Sequence, residues 1–195
     1  MKTIFHGLVI ALVSMTPAWA ETCEESFDRL LRGSQETETP TRNRSVTEMK
    51  NGMRMVSEHL RVAEDHYMTA MREPPGPWSM VYGDTMYTSM DEGKTWTVLR
   101  KIEDAGAQDH LDALAQTVTN AACSESELDG VIYDTVEADY RMDGDSPTDI
   151  HNKFWVSRAD GFIPKSETAM KNAAFETFVT QSIERVPDLT LPVPE

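Results

Sequence analysis

The stretch Arg44-Ser45-Val46-Thr47-Glu48-Met49-Lys50-Asn51-Gly52-Met53-Arg54-Met55-Val56-Ser57-Glu58-His59-Leu60-Arg61-Val62 supports two readings that lead to different folds. Val46, Met49, Met53, Val56 and Leu60 follow the 3,4,3,4 spacing of a helical stripe, and Ser45 with Glu48 imitates a capping box. Against this, Asn51-Gly52 is the strongest short hairpin signal, with Arg44 to Lys50 and Met53 to Val62 as its flanking strands. A glycine inside a helix costs about 1 kcal/mol relative to alanine. We therefore read a hairpin, and an antiparallel fold follows from it.

Downstream the strand signals continue: His66 to Arg72, Trp78 to Tyr82, a Gly83-Asp84 turn, Thr85 to Met90, an Asp91 to Lys94 turn and Thr95 to Lys101. Pairing across Gly83-Asp84 puts Trp78, Met80, Tyr82 and Tyr87 on one face and Val81, Met86 and Met90 on the other. Apolar groups on both faces call for a sheet that is covered twice or curled around an apolar interior. Two helices accompany the strands. Glu24 to Ser34 carries Phe27, Leu30 and Leu31 on one stripe before Gly33, and Asp104 to Thr119 carries Leu111, Leu114, Ala115 and Val118. Later strands are expected at Gly130 to Met142, Asn152 to Arg158, Lys165 to Met170 and Phe175 to Glu184. Pro187, Pro192 and Pro194 mark an extended C-terminal tail.

Composition narrows the function classes. The 195 residues are 39% hydrophobic and 26% charged, with 33 acidic against 18 basic residues and a net charge of −15. Such a charge repels nucleic acid and anionic membrane surfaces. Lys2, the apolar run Leu8 to Val13 and Ala18-Trp19-Ala20 form a signal peptide cleaved between Ala20 and Glu21. Residues 1–20 are thus read as an address and 21–195 as one domain, located in the periplasm or secreted. No stretch is long enough to span a membrane. Cys23 lies third after the expected cut, which does not fit a lipid-anchored cysteine. In an oxidising compartment Cys23 and Cys123 are expected to form a disulfide, worth up to about 4 to 5 kcal/mol in the chain-entropy model.

Ser89-Met90-Asp91-Glu92-Gly93-Lys94-Thr95-Trp96 resembles the Asp-box of sialidases and other propeller proteins, in which Asp bonds turn amides, Gly takes φ > 0 and Trp packs beneath. A propeller needs several blades of about 40 to 50 residues, and there is no second copy, so this is read as a well-made hairpin. Eight of the twelve methionines fall between Met49 and Met90. Methionine suits adaptable apolar surfaces and can also hold Cu(I); the spacing does not assemble a single copper cage. His59, His66, His110 and His151 lack zinc spacing, and the acidic run Asp139, Asp143, Asp145, Asp149 fails the calcium-loop pattern at Arg141 and Ile150. No nucleophile motif and no distinguished carboxylate pair is present. The expectation is a non-enzyme with no metal and no cofactor.

The order of segments, the Gly83-Asp84-Thr85-Met86-Tyr87 turn and the late stretch Trp155-Val156, Gly161, Pro164 and Lys165-Ser166-Glu167 resemble the LolA-like superfamily of exported lipoprotein carriers and related proteins. The resemblance covers most of residues 44–184. It departs at Glu64-Asp65-His66, where Pro-Asp-Arg is frequent, and at Ser157, where an Asp is common. It implies an α+β fold: a strongly curved antiparallel sheet, or incomplete barrel, with two or three short helices covering its inner side. It further implies a cavity for a lipid, acyl chain or lipoprotein. Trp78, Met80, Tyr82, Tyr87 and Trp155 are the expected lining residues. The alternatives are a cell-envelope module that binds another protein without a ligand, and methionine-based Cu(I) binding.

Overall fold

The structure is a computed structural model and describes residues 21–33, 39–102 and 107–194. The signal peptide expected at residues 1–20 lies outside the described residues. In chain order the elements are α1 (Cys23–Leu31), β1 (Thr41–Met49), β2 (Arg54–Ala63), β3 (His66–Glu73), β4 (Trp78–Tyr82), β5 (Thr85–Ser89), β6 (Thr97–Lys101), α2 (Ala107–Ala115), β7 (Thr119–Leu128), β8 (Val131–Met142), β9 (Thr148–Val156), β10 (Lys165–Lys171) and β11 (Glu176–Arg185). All eleven strands form one sheet in the order β6-β5-β4-β3-β2-β1-β11-β10-β9-β8-β7. Two antiparallel meanders, β1 to β6 and β7 to β11, are joined where β11 returns alongside β1. The outer strands β6 and β7 are not paired with each other, so the sheet is open. Two short helices accompany it among the described residues.

The ambiguous stretch at residues 44–62 is a hairpin. Val46 faces Val56 and Glu48 faces Arg54 across it. Gly52 takes φ +85° in the turn, and the Met53 N–H donates to Asn51 Oδ1 at 3.0 Å. The helical stripe divides between the two faces of the strand pair: Val46, Val56 and Leu60, all even-numbered, share one face, and Met49 stands on the other. Helix α1 begins with a true capping box, in which the Glu25 N–H donates to Thr22 Oγ1 and the Thr22 N–H donates to Glu25 Oε2. Phe27 and Leu30 are its buried side chains. The second helix ends at Ala115, earlier than the expected Thr119. The chain then enters β7, a strand absent from the sequence reading.

Each face of the sheet is covered in a different half. On one face Val136, Ala138, Tyr140 and Ile150 pack against Phe27, Leu30 and Ile163, with Leu114 and Val118 alongside. The disulfide Cys23–Cys123, with Cα atoms 5.6 Å apart, ties α1 to β7 on this face, and Arg32 forms ion pairs with Asp28 of α1 and Asp112 of α2. On the opposite face Leu60, Met68 and Met80 form a second core, closed by Trp78, Tyr87, Trp96 and by Leu189 and Leu191 of the C-terminal tail. The tail is fixed further by a 3.1 Å hydrogen bond between His66 Nε2 and the Pro192 carbonyl.

Candidate ligand-binding cleft

On the helix-bearing face one transverse row crosses five strands. Tyr140 pairs with Ile150, Ile150 with Met170, Met170 with Thr177 and Thr177 with Met49. A strand presents alternate residues to alternate faces, so all five side chains share the face on which Tyr140 and Ile150 meet α1. The row floors a cleft of about 870 Å³, bounded on one side by Thr117, from the connection between α2 and β7, and by Thr119 at the start of β7. This lies within the range of ligand pockets, about 300 to 1,000 Å³. Thr117 pins that connection to the sheet: its hydroxyl accepts from the Arg141 N–H at 2.9 Å and donates to the Leu114 carbonyl at 2.8 Å.

Among the charged residues that border the cleft, Arg141 pairs with Asp149 at 2.7 Å, Lys50 with Glu176 at 2.7 Å and His151 with Asp139 at 2.8 Å, and Glu48 and Lys171 border it as well. Hydrogen bonds from Asn120 and His151 hold the Asp139 carboxyl below its usual range. Tyr140 is shifted the other way, because burial disfavours its phenolate more than the hydrogen bond from Asn152 favours it. It therefore stays a neutral hydroxyl through the neutral range. Among the described residues no group of three or more His, Cys, Asp or Glu is placed to hold a metal ion. The acidic turn after β8 instead wraps Arg141, which pairs with Asp143 and Asp149.

The residues expected to line a cavity lie elsewhere. Trp78, Met80, Tyr82 and Tyr87 share a face as expected, with Met80 opposite Tyr87 and Trp78 opposite Ser89. That face is the one turned away from the helices. Met80, Trp78 and Tyr87 are packed beneath the tail, and Tyr82 is 40% exposed with its ring edge-on to His66. Trp155 is on the same face but on β9, with five strands between it and β4, buried between the Lys153 and Lys165 ammonium groups at 5.4 and 4.3 Å. None of the five borders the 870 Å³ cleft. Met49, Tyr140, Ile150, Met170 and Thr177 do. Their signal in the sequence was the polar-apolar-polar triplet repeated on neighbouring strands, Asp139-Tyr140-Arg141 and Asp149-Ile150-His151.

The Asp-box hairpin between β5 and β6 is built as a turn. Asp91 Oδ1 accepts from Ser89 Oγ and from the Thr95 N–H, Asp91 Oδ2 accepts from Thr95 Oγ1, and Ser89 Oγ accepts from the Gly93 N–H. No helix among the described residues is long and apolar enough to cross a membrane.

No family model matches the sequence, and no curated protein matches it. Solved structures do. The chain is similar to the lipoprotein LppX of Mycobacterium tuberculosis at 9% identity and TM-score 0.46, covering 87% of this chain and 96% of that one. It is similar to the LolA superfamily protein NE2245 of Nitrosomonas europaea at 11% identity and TM-score 0.36, covering 87% and 93%. It is also similar to a chain of the Pseudomonas aeruginosa MucA/MucB complex at 16% identity and TM-score 0.39, covering 85% of this chain and 58% of that one.

Proposed function

We propose that this protein is exported and carries an apolar ligand, a lipid, an acyl chain or the lipid part of a lipoprotein, in the cleft on the helix-bearing face of a curved, half-barrel sheet. The cleft itself carries the reading. An open 870 Å³ space floored by Met49, Ile150, Met170 and Tyr140 is apolar surface that an unliganded fold has reason to fill. Two methionines give that floor unbranched, polarizable side chains that adapt to chains of different shape. The Cys23–Cys123 bond is in keeping with an oxidising compartment and supports the signal-peptide reading of residues 1–20.

The test is extraction and titration. Protein purified from its natural compartment is extracted with organic solvent and analysed by mass spectrometry, and the delipidated protein is titrated with the neutral fluorophore N-phenyl-1-naphthylamine. A co-extracted lipid and saturable dye binding, lost on Met170→Trp with folding intact, are the expected results. Protein that yields no lipid and binds no dye would sink the proposal.

A further inference from the structure

The cleft is long across the strands and narrow along them. Its lining takes one triplet on or beside each of five neighbouring strands: residues 139–141, 149–151, 169–171, 176–178 and 48–50. Adjacent strands lie about 4.8 Å apart and residues along a strand about 3.3 Å, so the row from Tyr140 to Met49 runs about 19 Å while each triplet is only about 7 Å wide. The next row on the same face, Ala138, Asn152, Thr168, Val179 and Thr47, does not border the cleft. Such a trough takes one hydrocarbon chain, whose carbons keep about 4 Å from their neighbours, and not two side by side. Its two ends differ. At β8 the Tyr140 ring stands 6.0 Å from that of Phe27, Leu114 and Val118 pack on the same cluster, and Thr117 is pinned to Arg141, so this end is walled by packed side chains. At β1 the floor stops, because Met49 is the last residue of the strand and the Asn51-Gly52 turn follows. A smaller cavity of about 380 Å³ opens there; it shares Met49, Lys50, Lys171 and Glu176 with the cleft and adds Asn51 and residues 172–175. Asn172 fixes its outer turn by accepting from the Ala174 and Phe175 N–H groups at 2.8 and 2.9 Å. This end is polar and open.

Resting on the reading of the cleft as a lipid site, we infer that its ligand is a single-chain amphiphile whose straight acyl chain, about 14 to 16 carbons long, lies crosswise to the strands with its methyl end against Tyr140 and its polar head at the mouth between the β1–β2 and β10–β11 turns. Carbon–carbon bonds of about 1.5 Å advance a zigzag chain by about 1.3 Å per carbon, so a row of about 19 Å accepts about 15 carbons. The direction follows from solvation. A polar head pushed to the Tyr140 end would give up water among apolar side chains, whereas at the mouth it stays wet beside Lys50, Lys171 and Glu176. Methylenes beyond the length of the row remain in water and gain nothing from burial. The Tyr140 wall therefore acts as a ruler for chain length.

The experiment uses the full mature chain and a series of 1-monoacylglycerols from octanoyl to octadecanoyl, kept below their micellar range. Affinity is read by displacement of N-phenyl-1-naphthylamine and stoichiometry by calorimetry. The expected result is one chain per protein and an affinity that rises about twofold per carbon, the worth of a half-covered methylene, then levels off at about 14 to 16 carbons. Ile150→Phe, which fills the floor one strand short of Tyr140, should move the levelling point about four carbons shorter, one strand spacing, and leave the octanoyl probe within about twofold. Direction is read on the unaltered chain. The tetradecanoyl amide of 4-amino-TEMPO carries a nitroxide at its head, and the ε-methyl NMR signals of Met49 and Met170 are assigned through Met49→Leu and Met170→Leu, swaps that cores tolerate. Met49 should broaden more than Met170. Levelling below dodecanoyl, no levelling by octadecanoyl, two chains per protein, or stronger broadening of Met170 would each overturn this inference and leave the lipid site standing. Failure of every monoacylglycerol to displace bound dye would overturn both. If Ile150→Phe does not fold, the levelling point and the nitroxide measurement on the unaltered chain still decide.

Discussion

Gly93 shows how one residue ties a turn to a core. It takes φ +84°, a region that L side chains rarely adopt, and a Cβ placed on it would sit 3.0 Å from the Trp78 ring. Gly93→Ala is therefore expected to lose about 1 to 3 kcal/mol of stability, measured by urea unfolding. Asp91 of the same turn is held down to about 2, chiefly by the Thr95 N–H, then by the Thr95 and Ser89 hydroxyls. Its folded-state value lies below its ordinary 3.8, so its contribution is present above about pH 4 and is lost as pH falls toward 2. Asp91→Asn should flatten the acid limb of the stability profile in that window. An unchanged limb would show that the turn does not couple to folding. This motif was legible because its bonds are local: Ser89, Asp91, Gly93 and Thr95 satisfy one another within seven residues.

Among the elements, α1 depends on both its own cap and a distant tether. Phe27 is fully buried against Tyr140 and Phe154, with ring centroids 6.0 and 5.7 Å away. The disulfide holds the start of that helix to β7 across 100 positions of sequence. Reduction, or Cys23→Ser with Cys123→Ser, should cost about 2 to 5 kcal/mol and lower the melting temperature accordingly; calorimetry with and without reductant checks it. Strand β7 escaped the sequence reading for an evident reason. Its segment Thr119-Asn120-Ala121-Ala122-Cys123-Ser124-Glu125-Ser126-Glu127-Leu128 has one β-branched residue and lies at an edge, where only one neighbour, β8, supplies pairing. The hairpin at residues 44–62 follows Asn51-Gly52, since a turn type is a local backbone property, while the stripe around it divides between two faces, Val46, Val56 and Leu60 on one and Met49 on the other.

At the scale of the whole molecule the tail is part of the fold. Leu189 and Leu191 cover Leu60, Met68 and Met80, and the Pro192 carbonyl meets His66. Deleting residues 187–195 should expose that core, costing about 1 kcal/mol for each half-buried leucine lost and raising binding of a hydrophobic dye away from the cleft. A truncated chain as stable as the parent would mean that the tail only rests on the sheet. The amino-acid sequence alone determined the strands of both meanders apart from β7, the first helix, the Asp-box turn and the pairing of two cysteines, because each depends on neighbours in sequence or on a choice with one answer. It also determined that Trp78, Met80, Tyr82 and Tyr87 share a face. Which face turns toward the helices was decided only by tertiary structure. Both sides of the first meander are apolar, so period-two patterning cannot distinguish them. The helices settle over β8 while the tail seals the other side, leaving the open space above Ile150, Met170 and Thr177.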